Sequence, residues 1–247
     1  ARTQELAEDG LALVSLAGLG DRMPSELSGG QQQRVAVARA LVLEPQVLLF
    51  DEPLSNLDAK LRRRVREEIR DIQQNLGLTV IYVTHDQEEA LAVSDRIVVM
   101  REAGIAQEGS PREIYEEPAD LYVADFIGDA NLADVTITEI QGPRATVQVG
   151  DLTLDLPHRG LPLGPAHVAI RPESLLLRTE SPGSPGRGVV RKTTYLGKHM
   201  NYTVECAFGE LFVVSGDTFR VWAPGTTVSV ILADHGVTLI REGSART

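Results

Sequence analysis

Four apolar residues run directly into two carboxylates in the stretch Val47-Leu48-Leu49-Phe50-Asp51-Glu52. A short, wholly apolar run of this kind predicts a strand that is covered on both faces, as the strands of a parallel sheet are. Such sheets bind ligands outside the carboxyl ends of their strands, where Asp51 and Glu52 would lie. One carboxylate there can hold Mg²⁺, and the next can orient a water for attack on a phosphoryl group. A pair of solvated loop acids fits the same residues.

Helices and strands alternate on both sides of this stretch. Apolar residues at helical spacing predict an amphipathic helix over 61–76, which Gly77 closes as a C-cap. Strands that alternate with helices indicate a parallel α/β sheet. The other elements predicted for this part of the chain are helices at 3–17, 31–43 and 86–93 and strands at 79–84 and 97–100.

A glycine pair precedes the helix predicted at 31–43, in the segment Leu27-Ser28-Gly29-Gly30-Gln31-Gln32-Gln33-Arg34. Two glycines let a ligand approach the backbone closely, and Ser28 offers a hydroxyl. The start of the helix presents free N–H groups at the positive end of its dipole, so the segment suits a phosphate. A plain Ser/Gly cap at the start of a helix fits it equally well.

Three shorter segments complete the set of candidates. Ser55-Asn56-Leu57-Asp58 directly precedes the amphipathic helix and by itself is typical of a helix cap. Thr84-His85-Asp86 follows the second strand, where an imidazole can hydrogen-bond a terminal phosphate, although a histidine there is more often an ordinary loop residue. The basic run Arg62-Arg63-Arg64-Val65-Arg66 lies on the amphipathic helix and is interpreted as a solvated polar face.

Composition bounds the class of protein. The 247 residues have a net charge of −11, with 43% hydrophobic and 24% charged residues, which is typical of a globular chain of one large or two smaller domains. No apolar run approaches the roughly 18 residues that a membrane span needs, and the chain opens with no signal-peptide pattern. The single cysteine, Cys206, excludes an internal disulfide. The acidic balance and the sparse aromatic residues argue against nucleic-acid binding.

The second part of the chain differs in composition. The whole net charge falls in residues 1–130, whereas residues 131–247 are balanced and richer in glycine and proline. Short alternating runs separated by turns predict a small antiparallel sandwich or barrel. We therefore expect two domains, residues 1–130 and residues 131–247. The predicted strands of the second are 135–140, 145–149, 168–170, 189–195, 202–206, 211–214 and 228–232.

The order and spacing of the segments in the first part resemble those of the ABC-type ATPases. Leu27 to Gln31 matches the signature of that family, and Leu48 to Glu52 matches its Walker B strand. Ser55 to Asp58 matches its D-loop, and His85 its switch histidine. The resemblance implies an α/β fold, the C-terminal part of a RecA-like ATPase domain, with ATP and Mg²⁺ as its ligands. It also implies that Asp51 helps to hold Mg²⁺, that Glu52 is the general base and that His85 contacts the γ-phosphate.

ATPase subunits of that family pair head to tail, so that each nucleotide lies between the two. The resemblance therefore implies a homodimer with a second copy of the subunit, in which Asp58 lines the seam. The carboxylate pair and the histidine would act on nucleotide held in their own subunit. The residues expected on nucleotide held by the partner are Ser28, Gly29, Gly30 and Gln31.

A second resemblance concerns the β-rich part. The residues Ala169-Ile170-Arg171-Pro172-Glu173 resemble part of the TOBE domain, an OB-like all-β module in one branch of ABC importers, although a strand that ends in a proline turn also fits them. That branch serves sugars, polyamines, iron(III) and oxyanions, and the segment from Asp125 to Asn131 favours iron(III) or a polyamine. The resemblance implies a peripheral subunit on the cytoplasmic face of the cell membrane. Its partners would be membrane permease subunits and, indirectly, a substrate-binding protein, with no nucleic acid.

One part of the family's machinery has no match. The sequence contains no G-x-x-x-x-G-K-[ST] phosphate loop, because none of its three lysines, Lys60, Lys192 and Lys198, has the required neighbours. We therefore expect the C-terminal two-thirds of a longer subunit, inactive as an ATPase by itself. Two alternatives stay open: a truncated regulatory or dimerisation module without enzymatic activity, and a DNA-repair-type ABC ATPase.

Overall fold

The computed structural model describes residues 2–55, 57–180, 186–233 and 235–241. The chain divides into two compact units, Ala1–Asp95 and Arg96–Thr247. Among the described residues, no helix combines the length and the apolar character that a bilayer span requires. The step in composition near residue 130 falls within the second unit, where a strand begins at Asn131. The domain limits given above stay a prediction.

The first unit alternates helices with two strands. The apolar side of its second helix packs in one cluster with Val14, Leu16 and Leu48. A smaller cluster joins Leu54 to the third helix. The elements are α1 (Arg2–Leu13), α2 (Gly29–Leu41), β1 (Val47–Asp51), α3 (Ala59–Leu76), β2 (Thr79–Val83) and α4 (Gln87–Val93).

The long helix α3 has the limits that the sequence predicts. Asp58 precedes it as N-cap, and its side chain accepts hydrogen bonds from the N–H groups of Lys60 and Leu61. Gly77 ends it in the left-handed conformation, with φ of 61°, which glycine adopts without steric cost. Val65 and Ile69, on the predicted apolar face, are buried. The predicted amphipathic helix and its C-cap are confirmed.

Strands β1 and β2 pair in parallel, and Asp51 lies opposite Val83 at their carboxyl ends. One face of the pair is covered, with Leu48 buried and Phe50 and Tyr82 packed edge to face. On the other face Leu49 is 63% exposed and Ile81 is 54% exposed. The prediction that the apolar run at 47–50 is covered on both faces is therefore wrong for this chain, because the described residues cover only one.

The second unit is rich in strands. Strands β3 (Ile97–Arg101) and β4 (Gly104–Gly109) form an antiparallel pair, so the expectation that the strand at 97–100 joins the parallel sheet is wrong. Helices α5 (Pro111–Glu116) and α6 (Leu121–Phe126) follow. The remaining strands are β5 (Asn131–Gln141), β6 (Arg144–Val149), β7 (Leu152–Pro157), β8 (Gly164–Ile170), β9 (Leu175–Thr179), β10 (Arg187–Tyr195), β11 (Met200–Cys206), β12 (Gly209–Ser215), β13 (Thr227–Leu232) and β14 (Val237–Ile240).

These strands form two five-stranded sheets, in the orders β14-β8-β5-β6-β7 and β12-β11-β10-β13-β9. Alternate side chains of both sheets meet in one cluster, in which Val147, Val168 and Val204 are completely buried. The sequence predicts an antiparallel sandwich or barrel here, and the antiparallel all-β architecture is confirmed, with two sheets around one core.

Arg171 fastens the two short helices to this sandwich. Its guanidinium is 3% exposed and donates to the carbonyl oxygens of Tyr115, Ala124 and Ile127. The same group lies over the Tyr115 ring, 4.1 Å from its centroid. Burial lowers the pKa of Arg171 and raises that of Tyr115. The structure thus gives the arginine at the end of β8 a role in packing.

Candidate functional site

The parallel pairing of β1 and β2 brings two of the candidate segments to one edge of the sheet. Glu52 follows β1, and its N–H donates to the carbonyl oxygen of Val83 at 2.9 Å. Thr84 and His85 follow β2 at the same edge. Parallel strands place their carboxyl ends side by side, so the acidic pair and the histidine become neighbours although they are far apart in the sequence.

Glu52 and His85 are joined by a hydrogen bond. Oε1 of Glu52 lies 2.9 Å from Nδ1 of His85, and the two side chains are 47% and 74% exposed. This contact raises the pKa of His85 above its ordinary value, first through the hydrogen bond and then through the charge of Glu52. The bond engages Nδ1, so Nε2 is the ring nitrogen that can face a ligand.

The backbone of Glu52 turns sharply at the end of the strand. Its φ is 45°, in the left-handed region that residues other than glycine seldom adopt. The hydroxyl of Ser55 donates to its carbonyl oxygen at 3.1 Å, and its own N–H is held by Val83. These two bonds fix the turn from which the carboxylate reaches the histidine.

Asp51 is an exposed carboxylate beside this pair. It has no side-chain hydrogen bond or ion pair among the described residues. The described part of the chain holds no group of three or more His, Cys, Asp or Glu that would bind a metal by itself. Mg²⁺ is often held by one or two carboxylates together with phosphate oxygens of a nucleotide, so a lone free carboxylate fits that ion.

Residues 28–31 form a capping box at the start of α2. Oε1 of Gln31 accepts from the N–H of Ser28 at 2.9 Å, and Oγ of Ser28 accepts from the N–H of Gln31 at 3.4 Å. Ser28 and Gly29 are exposed, so the first turn of the helix is open to solvent. The cap interpretation is correct, and the same geometry leaves an accessible helix N-terminus that can meet an anion.

The two glycines of this turn lie in different surroundings. A Cβ at Gly30 would come within 2.9 Å of Leu61 and 3.1 Å of Val65, so Gly30 allows α2 to pack closely on α3. A Cβ at Gly29 would meet Leu57 at 3.5 Å, an ordinary contact. Close helix packing explains Gly30, whereas Gly29 is exposed and the structure gives it no comparable packing role.

Asp58 caps α3 through both bonds described above and is exposed. Asn56, in the same predicted D-loop, lies outside the described residues. The candidates therefore form two groups in the first unit: Asp51, Glu52 and His85 at the sheet edge, and residues 28–31 at the start of α2. Among the described contacts, none joins Ser28 to a member of the first group.

A polar cluster that the sequence does not predict lies next to this edge. Arg62, interpreted as part of a solvated face, is half-buried and bonds to Asp86 and to the carbonyl oxygen of Leu57. Glu89 is 3% exposed and accepts from the hydroxyls of Thr84 and Tyr82. Burial of the Tyr82 ring and, after it, the charge of Glu89 raise the pKa of Tyr82. Only the tertiary contact shows which arginine of the basic run turns inward.

Family comparison agrees with the motifs. Residues 2–55 match the ABC transporter family, and residues 168–239 match the TOBE domain. The matched segments include residues 28–31, Asp51 and Glu52 in the first and Arg171 in the second.

Curated relatives match over most of the chain. The "Fe(3+) ions import ATP-binding protein FbpC 1" of Rhizobium meliloti is 56% identical over 96% of this chain and 67% of its own length. The "Fe(3+) ions import ATP-binding protein FbpC" of Brucella melitensis is 53% identical over 97% of this chain and 67% of its own length. A solved structure of cbiO1 from Clostridium perfringens, part of the ABC transporter complex cbiONQ, is 32% identical over 46% of this chain and 45% of that chain. Its TM-score against this chain is 0.43.

Proposed function

This chain belongs to the family of ATP-binding subunits of ABC transporters, in the branch that carries a TOBE domain, and from that premise we propose that it is part of the ATP-hydrolysing subunit of an importer. The observation that carries the proposal is the 2.9 Å hydrogen bond between Glu52 and His85 at the carboxyl edge of a parallel sheet. A carboxylate and an imidazole meet there on an exposed surface, and groups of these two types act as base and hydrogen-bond donor in phosphoryl transfer to water.

Glu52 serves as the general base. Its carboxylate is 47% exposed and is oriented by His85, so it can take a proton from an attacking water. His85 donates from Nδ1 to Glu52, and this contact raises the pKa of His85. In the imidazolium form, Nε2–H can donate to a γ-phosphate oxygen.

Asp51 holds Mg²⁺ in this proposal. When bound, the ion neutralises charge on the β- and γ-phosphates of ATP. The support from this chain is that Asp51 is exposed, adjacent to Glu52 and without a side-chain partner among the described residues.

The second group acts across a subunit boundary. Residues 28–31 meet nucleotide held by a second copy of the subunit, and Asp58 lies at the seam of that homodimer. Two observations support this assignment: the exposed first turn of α2, and the absence of any described contact from Ser28 to Glu52 or His85. A helix N-terminus that faces outward is free to bind a phosphate on another molecule.

The 247-residue chain by itself does not hydrolyse ATP in this proposal. No lysine in it stands in a phosphate-loop motif, and that lysine is the group that contacts the β- and γ-phosphates. The uncovered face of β1 and β2, with Leu49 and Ile81 more than half exposed, also supports the view that a complete ATPase domain requires further chain.

The proposed cargo is iron(III). The support is that the relatives described above are named as ATP-binding proteins of Fe(3+) import. The subunit would then lie at the cytoplasmic face of the membrane, against permease subunits that receive iron(III) from a substrate-binding protein. The same names and the TOBE match weigh against a DNA-repair ATPase.

Uptake in cells tests the function. A bacterial strain without its own iron(III) importer ATPase would be complemented with a complete subunit that contains this sequence, together with its permease and binding protein. We expect uptake of radiolabelled iron(III) to return, and to be lost with Glu52→Gln. Glu67→Gln, an exposed residue of α3, is the matched control and should take up iron normally. Uptake of a polyamine in place of iron would overturn the cargo, and full uptake with Glu52→Gln would overturn the mechanism.

A further inference from the structure

The side chain of Arg62 connects the loop before α3, which ends at Asp58, with the loop after β2, which holds His85. Arg62, in the first turn of α3, donates from Nη2 to the carbonyl oxygen of Leu57 at 3.2 Å. From Nη1 it donates to Oδ2 of Asp86 at 3.1 Å. Leu57 precedes Asp58, and Asp86 follows His85. The planar guanidinium therefore spans from the loop that ends at Asp58 to the loop that holds His85.

Glu89 fixes the far side of this connection. It is 3% exposed, and its Oε2 accepts from the hydroxyl of Thr84 at 2.8 Å and from that of Tyr82 at 3.1 Å. Its Oε1 lies 3.8 Å from Nε of Arg62. A buried carboxylate requires such partners, because an uncompensated charge away from water is costly.

Both neighbours of His85 are held by this cluster. The hydroxyl of Thr84 accepts from the N–H of Asp86 at 3.0 Å while it donates to Glu89. The carboxylate of Asp86 accepts from the N–H of Glu89 at 3.1 Å and from Arg62. The side chain of His85 is not part of the cluster and remains 74% exposed. The backbone on either side of the imidazole is thus fixed, while the ring is free for Glu52 and a ligand.

We propose that Arg62 is a positioning residue that transmits the placement of the loop at Asp58 to His85. The proposal rests on the function proposed above, in which Asp58 lies at the dimer seam and His85 contacts the γ-phosphate. Arg62 itself touches neither Glu52 nor any atom that reacts. Its two-pronged contact requires the guanidinium fork, because a lysine ammonium is a single point donor that cannot bridge both partners in one plane.

Turnover by a complete subunit gives the first test, with Arg62→Lys against Arg63→Lys. Arg63 lies on the same helix, is exposed and has no side-chain partner among the described residues, so the control makes the same chemical change. We expect Arg62→Lys to lower kcat about tenfold to a hundredfold, as a misplaced group does, with KM for ATP within about twofold of wild type. Arg63→Lys should match wild type in both. Equal kcat for the two variants would overturn the proposal, and so would a parallel loss of kcat and folded protein.

A spectroscopic test on the 247-residue chain does not depend on turnover. Asp58→Asn keeps a helix-capping side chain but changes the charge at one end of the connection. We expect it to shift the NMR signals of the His85 ring in the wild-type and Arg63→Lys backgrounds, and to leave them unmoved in the Arg62→Lys background. A shift that persists with Arg62→Lys would show that another path connects the loops and would overturn the proposal. A complete wild-type subunit without ATPase activity would instead overturn the proposed function, and the NMR result on the 247-residue chain would not depend on it.

Discussion

The β-sandwich of the second unit and the parallel strand pair of the first differ in how their sheet faces are covered. In the second unit, two five-stranded sheets enclose one core, and side chains such as Val147 and Val204 have no exposure. In the first, the parallel strands β1 and β2 cover one face only and leave Leu49 63% exposed. The sandwich of the second unit thus encloses its own core. In the first unit, one apolar face of β1 and β2 is left exposed by the described residues.

One arginine in each unit, the buried Arg171 and the half-buried Arg62, shows the same difference. Arg171 in the second unit donates to backbone carbonyl oxygens of α5, α6 and the residue after α6, and these bonds hold the two short helices against the sandwich. Arg62 in the first unit connects loops at an exposed edge, beside a glutamate and a histidine that are open to solvent. Chemistry is therefore expected in the first unit and structural support in the second, and each prediction below tests one side of that contrast.

The largest effect is expected at Glu52. In a complete subunit, Glu52→Gln removes the proposed base, so the rate of ATP hydrolysis should fall about a hundredfold to ten-thousandfold. Binding of ATP should persist, because the amide keeps the shape of the side chain. Turnover by a phosphate-release assay and binding by a fluorescent ATP analogue would measure both. Turnover equal to that of the Glu67→Gln control would remove Glu52 from its role.

Arg171 tests the structural side of the contrast. Arg171→Met leaves the carbonyl oxygens of Tyr115, Ala124 and Ile127 without their donor, which should lower the free energy of unfolding of the second unit by about 3 kcal/mol. The chain has one tryptophan, Trp222, so its fluorescence in denaturant reports this unit alone. Arg178→Met, at an exposed site on β9, should have little effect. An unchanged midpoint with Arg171→Met would contradict the assignment.

The glycine pair separates packing from ligand contact within the first unit. Gly30→Ala brings a Cβ to 2.9 Å from Cδ1 of Leu61 and 3.1 Å from Cγ2 of the buried Val65, so these side chains must shift and we expect a loss of about 1 kcal/mol of stability. Gly29→Ala makes only ordinary contacts and should leave stability nearly unchanged, while it lowers turnover in a complete subunit by obstructing the phosphate. Thermal unfolding of both variants, followed by the helical circular dichroism signal, checks the first point. Equal destabilisation by the two alanines would show that the pair has one role.

The smallest effect concerns the titration of His85. Its pKa is raised by the hydrogen bond to Glu52, so Glu52→Gln should lower it toward the ordinary histidine value. Because the folded chain binds this proton more tightly than the unfolded chain, the pair stabilises the fold at pH below about 6.5, the ordinary pKa of histidine, and this contribution is lost as pH rises through the raised pKa. NMR titration of the His85 ring measures the shift, with Glu67→Gln as control. If the His85 ring titrated identically in Glu52→Gln and in the wild-type chain, the hydrogen bond between Glu52 and His85 would be absent in solution.

Much of this arrangement follows from local sequence. The cap at Asp58, the helix α3 and the left-handed Gly77 depend on neighbours in the chain, and the structure confirms them. The meeting of Glu52 and His85 follows from two apolar runs whose parallel pairing aligns their carboxyl ends. The exposure of Leu49 could not be predicted from the sequence. An apolar run indicates that a strand tends to be buried, but it does not show which residues pack against each of its faces.

Other features depend on tertiary contacts that periodicity does not encode. The strand at 97–101 pairs with β4 through a turn at Glu102 and Ala103, both at positive φ, instead of joining the parallel strands. Arg62 and Arg63 are adjacent in a run of like residues, yet only Arg62 meets Glu89 and Asp86. Which of the two arginines reaches these carboxylates depends on how α3 is oriented against the neighbouring elements, and the sequence pattern does not specify this.

The most direct test of the central claim is release of phosphate from Mg-ATP by the purified 247-residue chain, compared with a chimera that adds the part of the Rhizobium meliloti relative lying outside its match to this chain. The chain carries the proposed base Glu52 and the histidine His85, but none of its lysines stands in a phosphate-loop motif. We expect no release above background from the chain and clear release from the chimera, abolished by Glu52→Gln. Sustained hydrolysis by the chain alone would contradict the account.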